Sequence, residues 1–229
     1  MNDPALDINY GPWLPIRHNS KILDLGCGDG RTLRYLAAKG YTSLFGVDRD
    51  ASILMEAAKI PGAKIECAEV DAEYLSRKKG YFELIIVKQM IYYVDRSQSL
   101  QFMKALRDAL TDDGILIIEY FNASLISSRF TELKDPFIRT AYTEHSMKRL
   151  IAASGLFECA TYGEKKDLKH IISIVYVSLQ SLWFVLLKCI YLLERGYDNE
   201  LPKIGEKSII SIASRVPFIV EHTAISKLD

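Results

Sequence analysis

Short apolar runs alternate with segments of helical spacing between about residues 21 and 163. Runs such as Lys21–Leu25 and Phe82–Val87 are rich in aliphatic residues and stop at polar or glycine-containing turns, as buried strands do. Between them, Arg31–Lys39 repeats its apolar residues at helical spacing and is followed by Gly40, a typical helix end. We therefore predict a layered α/β fold with a largely parallel sheet.

The same patterns place the other elements. Further strands are predicted at Ser43–Asp48, Lys64–Ala68, Ile115–Tyr120, Leu156–Tyr162 and Ser208–Ser214. Helices are predicted at Ala51–Ile60, at Ser97–Leu110 and after an N-cap at Thr143, with a turn at Thr111–Gly114. We expect one domain over residues 1–229, built on a doubly wound, mostly parallel, seven-stranded Rossmann-like sheet. An irregular arm would occupy residues 1–20, and a helical insertion at 164–207 would precede the last strand.

The most apolar part of the chain is the segment 171–193. It has enough residues to cross a bilayer, but serines, a glutamine and Lys188 interrupt it, and such groups are costly in hydrocarbon. We expect a helix that caps the domain or meets a partner, with a helix lying on a membrane surface as the main alternative. Basic and acidic residues alternate just before it, at Glu164, Lys165, Lys166, Asp167 and Lys169.

Composition and charge narrow the class of protein. Lys plus Arg equal Asp plus Glu at 29 each among 229 residues, and this balance argues against an extended nucleic-acid surface. Four cysteines, at 27, 67, 159 and 189, form neither a zinc motif nor a disulfide pattern. The N-terminus lacks a basic region followed by an apolar core. We expect a cytoplasmic protein without a metal, and nothing in the sequence predicts its oligomeric state.

The first strand runs into the loop Asp24-Leu25-Gly26-Cys27-Gly28-Asp29-Gly30, which opens a helix. Glycines at this point bring bare backbone close to a ligand at the carboxyl edge of the sheet. The dinucleotide fingerprint would require a further glycine at position 31, where Arg31 stands. The loop therefore favours a different nucleotide-like cofactor.

Two further acids follow strand ends. Asp48 ends the second strand, from where a carboxylate can accept both hydroxyls of a ribose. Asp71 follows the third strand and can receive an adenine amino group. Each acid alone could equally be a helix cap or a loop acid, since Asp is common in both places. The loop and the two acids in this order favour a cofactor site.

Several motifs occur in a familiar order: YGPWLP, KILDLGCGDG, LFGVD, VDAEYL, FELIIV, LTDDGILIIEYFN and YTEHSMKRLIAASGLF. With these motifs, the chain between Tyr10 and about Gly163 resembles class I S-adenosylmethionine-dependent methyltransferases. More narrowly, they resemble members encoded with bacterial surface-polysaccharide genes. The resemblance implies S-adenosylmethionine as cofactor and S-adenosylhomocysteine as product. It assigns the methionine part to the loop residues Asp24, Gly26, Gly28 and Gly30, the ribose to Asp48, the adenine to Asp71, and the cover of the methionine part to Lys88 and Gln89. Their neighbours Cys27, Asp29, Arg49 and Ala72 are further candidates for cofactor binding.

The acceptor side departs from the family pattern. Tyr92-Tyr93 replaces a common Glu-His pair, and the segment that begins at Asp135 lacks a His that often follows an Asp there. The remaining candidates for catalysis are Tyr93 and His145, although His145 could be a surface residue in a first helical turn. His18 could close over the acceptor or be solvated. Tyr10, Tyr92, Tyr93 and Asn122 are candidates for the acceptor pocket, although Asn122 could instead end a strand.

Three functions stay open. The leading one is O-methylation of a sugar or another hydroxylated small molecule. The second is N- or C-methylation of an aromatic metabolite that stacks on Tyr92, Tyr93, Tyr120 and Phe121. The third is a non-catalytic cofactor-binding subunit that supports a partner through residues 164–207. Glu119 lies inside a predicted central strand, where a buried acid needs a partner.

Overall fold

The computed structural model describes residues 3–166, 171–195 and 203–217. Its seven strands are β1 (Lys21–Leu25), β2 (Ser43–Asp48), β3 (Ala63–Cys67), β4 (Phe82–Lys88), β5 (Leu110–Phe121), β6 (Phe157–Gly163) and β7 (Ser208–Ser214). They form one sheet in the order β3-β2-β1-β4-β5-β7-β6. The first five strands are parallel, and β7 runs antiparallel to both of its neighbours. The prediction of a seven-stranded, mostly parallel sheet is confirmed.

Helices flank this sheet on its two faces and at its carboxyl edge. They are α1 (Pro4–Tyr10), α2 (Arg31–Ala38), α3 (Ala51–Ala57), α4 (Ala72–Ser76), α5 (Ser99–Ala109), α6 (Ser128–Lys134), α7 (Glu144–Ala153) and α8 (Ile171–Arg195). Helices α1, α2 and α3 pack on one face with Ile22 of β1, and α4, α5 and α7 pack on the other with Leu23 and Leu25. Successive strand residues therefore serve opposite cores, as the pleat requires.

The N-terminal arm is more regular than the sequence suggested. Residues 4–10 form α1, and Gly11–Trp13 add one 3-10 turn, so the prediction of an irregular arm is wrong for this stretch. The reason is local. The Asp3 carboxylate accepts the backbone N–H of Leu6 at 3.2 Å and caps the helix, while Pro4 at the first helical position has a suitable φ.

The predicted turn at Thr111–Gly114 is part of the run assigned to β5. Phe82 pairs with Leu110 and Leu84 pairs with Ile115, so β5 advances five residues while β4 advances two. The four residues of the predicted turn lie opposite the single residue Glu83, so the bulge adds three residues to β5. The helix N-cap at Thr143 is confirmed, because its side chain accepts the N–H of Ser146 at 3.1 Å in a capping box.

The predicted insertion at 164–207 contains one long helix, α8, between β6 and β7. Residues 167–170, which include Asp167 and Lys169, and residues 196–202 lie outside the described part of the chain. Within the described ranges, no helix is both long and apolar enough to cross a bilayer. Because β6 ends and β7 begins at the carboxyl edge of the parallel strands, α8 lies at that edge.

Candidate active site

The glycine loop after β1 adopts a backbone that few other residues could follow. Gly26, Gly28 and Gly30 have φ values of +78°, +55° and +87°. The loop is fixed to β2, since the N–H groups of Gly26 and Cys27 donate to the carbonyl of Val47 at 2.8 and 3.0 Å. Bare backbone therefore faces the crevice between β1 and β4, where the strand order reverses.

Replacing Gly30 with Ala should destabilise the domain strongly. A Cβ at Gly30 would lie 2.6 Å from Ile60 Cδ1 and 3.0 Å from the backbone Cα of Ala57. We expect the free energy of unfolding in urea to fall by about 3 kcal/mol, from left-handed strain and overpacking. Gly80→Ala is the control, because Gly80 has φ +61° and open space around it, so it isolates the backbone cost of about 1–2 kcal/mol. Equal losses in the two variants would contradict the crowding.

A cavity of about 660 Å³ opens beside this loop. Its volume falls within the range of small-molecule sites. Several residues predicted to hold the cofactor or the acceptor line this cavity: Gly26, Asp48, Arg49, Asp71, Ala72, Gln89 and Tyr93. A Cβ on Gly26 would approach Met90 Cγ to 3.0 Å at the wall of the cavity. The space, the glycine loop and the carboxylates at the strand ends fit a nucleoside ligand with a charged tail.

Asp48 joins β2 to the glycine loop. One carboxylate oxygen accepts the N–H of Gly28 at 3.0 Å, and the other accepts the N–H of Asp50 at 3.0 Å. Asp71 is the N-cap of α4 and accepts the N–H of Tyr74 at 2.8 Å. Asp71 is therefore a helix cap, which was one of its two interpretations, and it also lines the cavity. Both acids stand where the sequence placed them, at the carboxyl edge of the sheet.

The other loop residues differ in their surroundings. Asp24 is buried at the end of β1, and burial, followed by the charge of Asp48, raises its pKa to about 7, although nearby Lys88 opposes the shift. Burial raises the pKa of the Cys27 thiol to about 12, so this thiol stays protonated and serves as a small packing side chain. Asp29 is exposed and accepts from Arg34 Nη2 at 2.8 Å.

A buried carboxylate lies beside the loop, at the end of β5. Glu119 is buried and accepts hydrogen bonds from the Tyr10 hydroxyl and from Gln89 Nε2, the latter at 2.9 Å. Lys88 Nζ lies 3.6 Å from it. Burial, and then the charge of Glu119, raise the pKa of Tyr10 well above its usual value. The expectation that a buried acid here has partners is confirmed.

The backbone of Gln89 is strained. Its φ of +53° is left-handed, and its N–H donates to the carbonyl of Glu119 at 2.8 Å. Non-glycine residues held in this conformation concentrate at functional sites. Since the Gln89 side chain also donates to Glu119, the residue is fixed at two points where it lines the cavity.

Tyr93 and Asp135 form a pair beside the cavity. The Tyr93 hydroxyl donates to Asp135 Oδ2 at 2.8 Å, and the Tyr92 ring centroid lies 4.7 Å from that of Tyr93. Burial, followed by the bond to Asp135, raises the pKa of Tyr93, so its phenol stays protonated. Arg49 lies 5.9 Å from the ring. Asp135 was expected only as part of a divergent segment, so its hydrogen bond with Tyr93 was not predicted.

Other acceptor candidates have structural roles. Asn122 is fully buried, and its amide donates to the carbonyls of Ile204 and Glu206 at 2.9 and 3.1 Å. This favours the interpretation of Asn122 as a strand-ending residue. Tyr120 is fully buried and packs against the Tyr142 ring, so it faces the core and cannot be part of an open stacking surface.

The two histidine candidates lie away from the cavity. His18 precedes β1, its carbonyl accepts the N–H of Thr42, and its ring packs on Tyr41 at the amino edge of the sheet. The hypothesis that His18 closes over the acceptor is therefore wrong. His145 is exposed in the first turn of α7, which agrees with the surface interpretation. Among the described residues, no cluster of His, Cys, Asp and Glu could hold a metal ion.

Comparison with known proteins agrees with this geometry. A family model described as a methyltransferase domain matches residues 10–157, more than half of the chain. A sphingolipid C9-methyltransferase of Candida albicans is 25% identical over 116 residues, which cover 47% of this chain and 23% of that protein. An (S)-tetrahydroprotoberberine N-methyltransferase of Eschscholzia californica is 23% identical over 126 residues, which cover 52% and 35%. The chain thus spans well under half the length of these curated relatives.

Solved structures extend the likeness of the fold to nearly the whole chain. A SAM-dependent methyltransferase of Archaeoglobus fulgidus superposes with a TM-score of 0.67 at 14% identity, covering 92% of this chain and 91% of that one. The glycine loop, the two strand-end carboxylates and the family match lead to one conclusion. The chain belongs to the methyltransferase domain family.

Proposed function

We propose that this chain methylates a hydroxyl group of a small polar acceptor, with a sugar of a bacterial surface polysaccharide as the acceptor class. The observation that carries the proposal is the Tyr93–Asp135 hydrogen bond beside the cofactor cavity. This pair contains the carboxylate of Asp135, and the chain lacks the histidines that related sequences commonly carry at these two segments. The polysaccharide context rests on the motifs of the N-terminal arm and of the region around Asn122.

Residues on three strand ends would hold the cofactor. The Asp48 carboxylate would accept from the ribose, Asp71 would receive the adenine amino group, and the backbone at Gly26–Gly30 would follow the methionine part. S-adenosylmethionine supplies an electrophilic methyl group when bound. The chain then has to hold the acceptor oxygen in line with that methyl, which is catalysis mainly by proximity and orientation.

A hydroxyl acceptor also loses a proton, which a base has to receive. We assign this role to Asp135, whose Oδ2 already accepts a proton-bearing group, the Tyr93 hydroxyl, at 2.8 Å. In the reaction, the acceptor O–H bond breaks and its proton passes to the Asp135 carboxylate. Tyr93, kept protonated by its raised pKa, orients that carboxylate by donating to it.

Asp135→Asn should lower kcat on a sugar acceptor by about 100-fold or more, because a positioned general base contributes that much. The amide oxygen of the variant can still accept the N–H of Phe137, which Asp135 accepts at 2.9 Å, so the loop is preserved. A homocysteine-release assay against a panel of sugars measures the change. Affinity for S-adenosylhomocysteine, measured by calorimetry, should stay within about twofold.

Asp112→Asn is the matched control, since Asp112 is an exposed carboxylate at the amino edge and pairs with Arg215. It should keep the native kcat. Native turnover by Asp135→Asn on its best sugar would exclude Asp135 as the base. Failure of the native chain to bind S-adenosylmethionine would exclude the methylation proposal altogether.

A second candidate, N- or C-methylation of an aromatic acceptor, has a specific observation behind it. The rings of Tyr92, Tyr93 and Phe121 form a contiguous cluster, with centroids 4.7 and 5.0 Å apart. One relative is an N-methyltransferase by name. Because Phe121 and Tyr120 are buried, the accessible surface reduces to Tyr93 and part of Tyr92. The sugar panel run beside a panel of arenes and aromatic amines separates the two candidates, and turnover on either excludes a purely non-catalytic subunit.

A further inference from the structure

Helix α8 carries an apolar face that nothing described in the chain covers. Gln180 and Phe184 mark its inner side: Gln180 Nε2 donates to the carbonyl of Gly205 at 3.1 Å, and a Cβ on Gly205 would meet the Phe184 ring. The opposite side repeats at helical spacing. Its side chains, here called the α8 face, are 37% to 87% exposed: Val175, Leu179, Leu182, Trp183, Leu186, Ile190 and Leu193.

The α8 face is long and uncharged. From Val175 to Leu193 it extends about 27 Å along the helix at 1.5 Å per residue. The only charged residue in the segment 171–193 is Lys188, whose Nζ lies 4.6 Å from the Phe184 ring centroid on the inner side. An exposed apolar surface of this extent indicates an interaction site.

A second exposed apolar surface follows β5. It consists of four side chains in and beside α6, here called the α6 patch: Ile126, Phe130, Leu133 and Phe137, which are 56% to 80% exposed. Asp135, the proposed base, lies within this stretch. The patch is therefore next to the candidate acceptor site.

The topology brings both surfaces to the same edge of the sheet. Helix α6 follows the carboxyl end of β5, and α8 connects the end of β6 to the start of β7, which pairs with that end of β5. Asn122 links the two regions, since its amide bonds to the carbonyls of Ile204 and Glu206 in the segment that contacts α8. The candidate active site opens at this same edge.

We infer that the α8 face and the α6 patch dock on the headgroup region of a phospholipid bilayer, with α8 lying in the plane of the membrane. A helix whose inner side packs on protein and whose outer side is apolar suits such an interfacial position. A second copy paired through α8 alone would leave the α6 patch exposed. A single lipid surface accounts for both.

Charge at this edge agrees with a lipid surface. The described segments 126–139, 164–166 and 203–207 contain seven basic and four acidic residues, whereas the whole chain is neutral. Basic side chains near an interfacial helix favour anionic headgroups. The inference rests on these surfaces and not on the identity of the acceptor, so its test is independent of the test of the proposed reaction.

Flotation with vesicles of phosphatidylethanolamine and phosphatidylglycerol tests the inference on the full chain. We expect the native protein to float with the vesicles and to remain largely bound at high salt, because the contact is mainly apolar. The double variant Leu182→Glu/Trp183→Glu should weaken binding at least about tenfold. Phe130→Glu/Leu133→Glu should weaken it severalfold. Ile16→Glu is the matched control: Ile16 is 98% exposed at the amino edge, and its variant should bind like the native chain.

Two further measurements keep the result interpretable. Calorimetry with S-adenosylhomocysteine shows whether each variant is folded. In a Trp13→Phe background, Trp183 is the only tryptophan, so quenching by brominated lipid reports whether the α8 face enters the membrane. Vesicle-independent dimerisation, seen as twice the 26.0 kDa chain mass and abolished by Leu182→Glu/Trp183→Glu, would overturn the inference in favour of a second copy. A folded chain that stays monomeric and does not float would overturn it as well.

Discussion

Asp48→Ala should weaken the binding of S-adenosylmethionine by about 100-fold or more. In the structure the Asp48 carboxylate accepts one N–H from the glycine loop and one from Asp50, and we propose that it also accepts from the ribose. Hydrogen bonds to a charged group contribute about 1.5–3 kcal/mol each, so losing the bonds to both ribose hydroxyls costs about 3 kcal/mol or more, which is about two powers of ten in Kd. Isothermal titration calorimetry measures the change directly.

Two further variants test whether the weaker cofactor binding of Asp48→Ala comes from the lost contact with the ribose. Glu56→Ala removes an exposed carboxylate from α3, where it pairs with Lys59, and should leave Kd unchanged. Asp48→Asn retains an oxygen that can accept the Gly28 N–H but removes the charge, so an intermediate Kd is expected if ribose binding dominates. A native Kd for Asp48→Ala would show that the ribose is held elsewhere.

The second large effect concerns stability and pH. The Asp24 carboxyl has a pKa of about 7 in the folded chain, against 3.8 when unperturbed, mainly because it is buried. The folded state therefore holds a proton that the unfolded state has lost between about pH 4 and pH 7. Stability falls as pH rises through this window, by about 2–4 kcal/mol from this group, since one pKa unit corresponds to about 1.4 kcal/mol.

Asp24→Asn should remove this contribution. Urea denaturation at pH 5 and at pH 8 gives the free energy of unfolding of both proteins, and the variant should gain stability over the native chain at the higher pH. The amide is nearly the same size and shape as the carboxyl, so the packing around residue 24 is preserved. A difference between the two proteins that does not change with pH would mean that Asp24 is ionised in the folded chain.

Local patterns were sufficient for much of the fold. Strands β1, β2 and β7 have the predicted bounds, because each is a short apolar run that ends at an unmistakable polar or glycine turn. The N-cap at Thr143 also followed from neighbouring residues alone. The glycine loop and the strand-end acids could be placed for the same reason, since their position in the sheet follows from where each strand stops.

What the sequence did not predict depends on contacts between distant residues. The Tyr93–Asp135 bond spans 42 residues, so no spacing rule pairs these two side chains. Tyr120 and Asn122 lie two positions apart near the end of one strand and look suited to a pocket, yet both are buried in structural roles. Their surroundings come from β7 and the segment before it. The helix α1 was missed because its seven residues, Pro4–Tyr10, are too few to establish a helical period.

The hydrogen bond from Tyr10 to Glu119 joins residues 109 positions apart. Closing a loop of that length costs entropy that only a formed sheet can offset, because Glu119 reaches its position once β5 is inserted. Helix α1 also contacts α2, where Arg31 Nε donates to Asp3 at 2.8 Å and the Tyr35 hydroxyl donates to Asp7 at 2.9 Å. These bonds need only residues close in sequence, so the Tyr10–Glu119 bond is the contact of α1 that waits for β5.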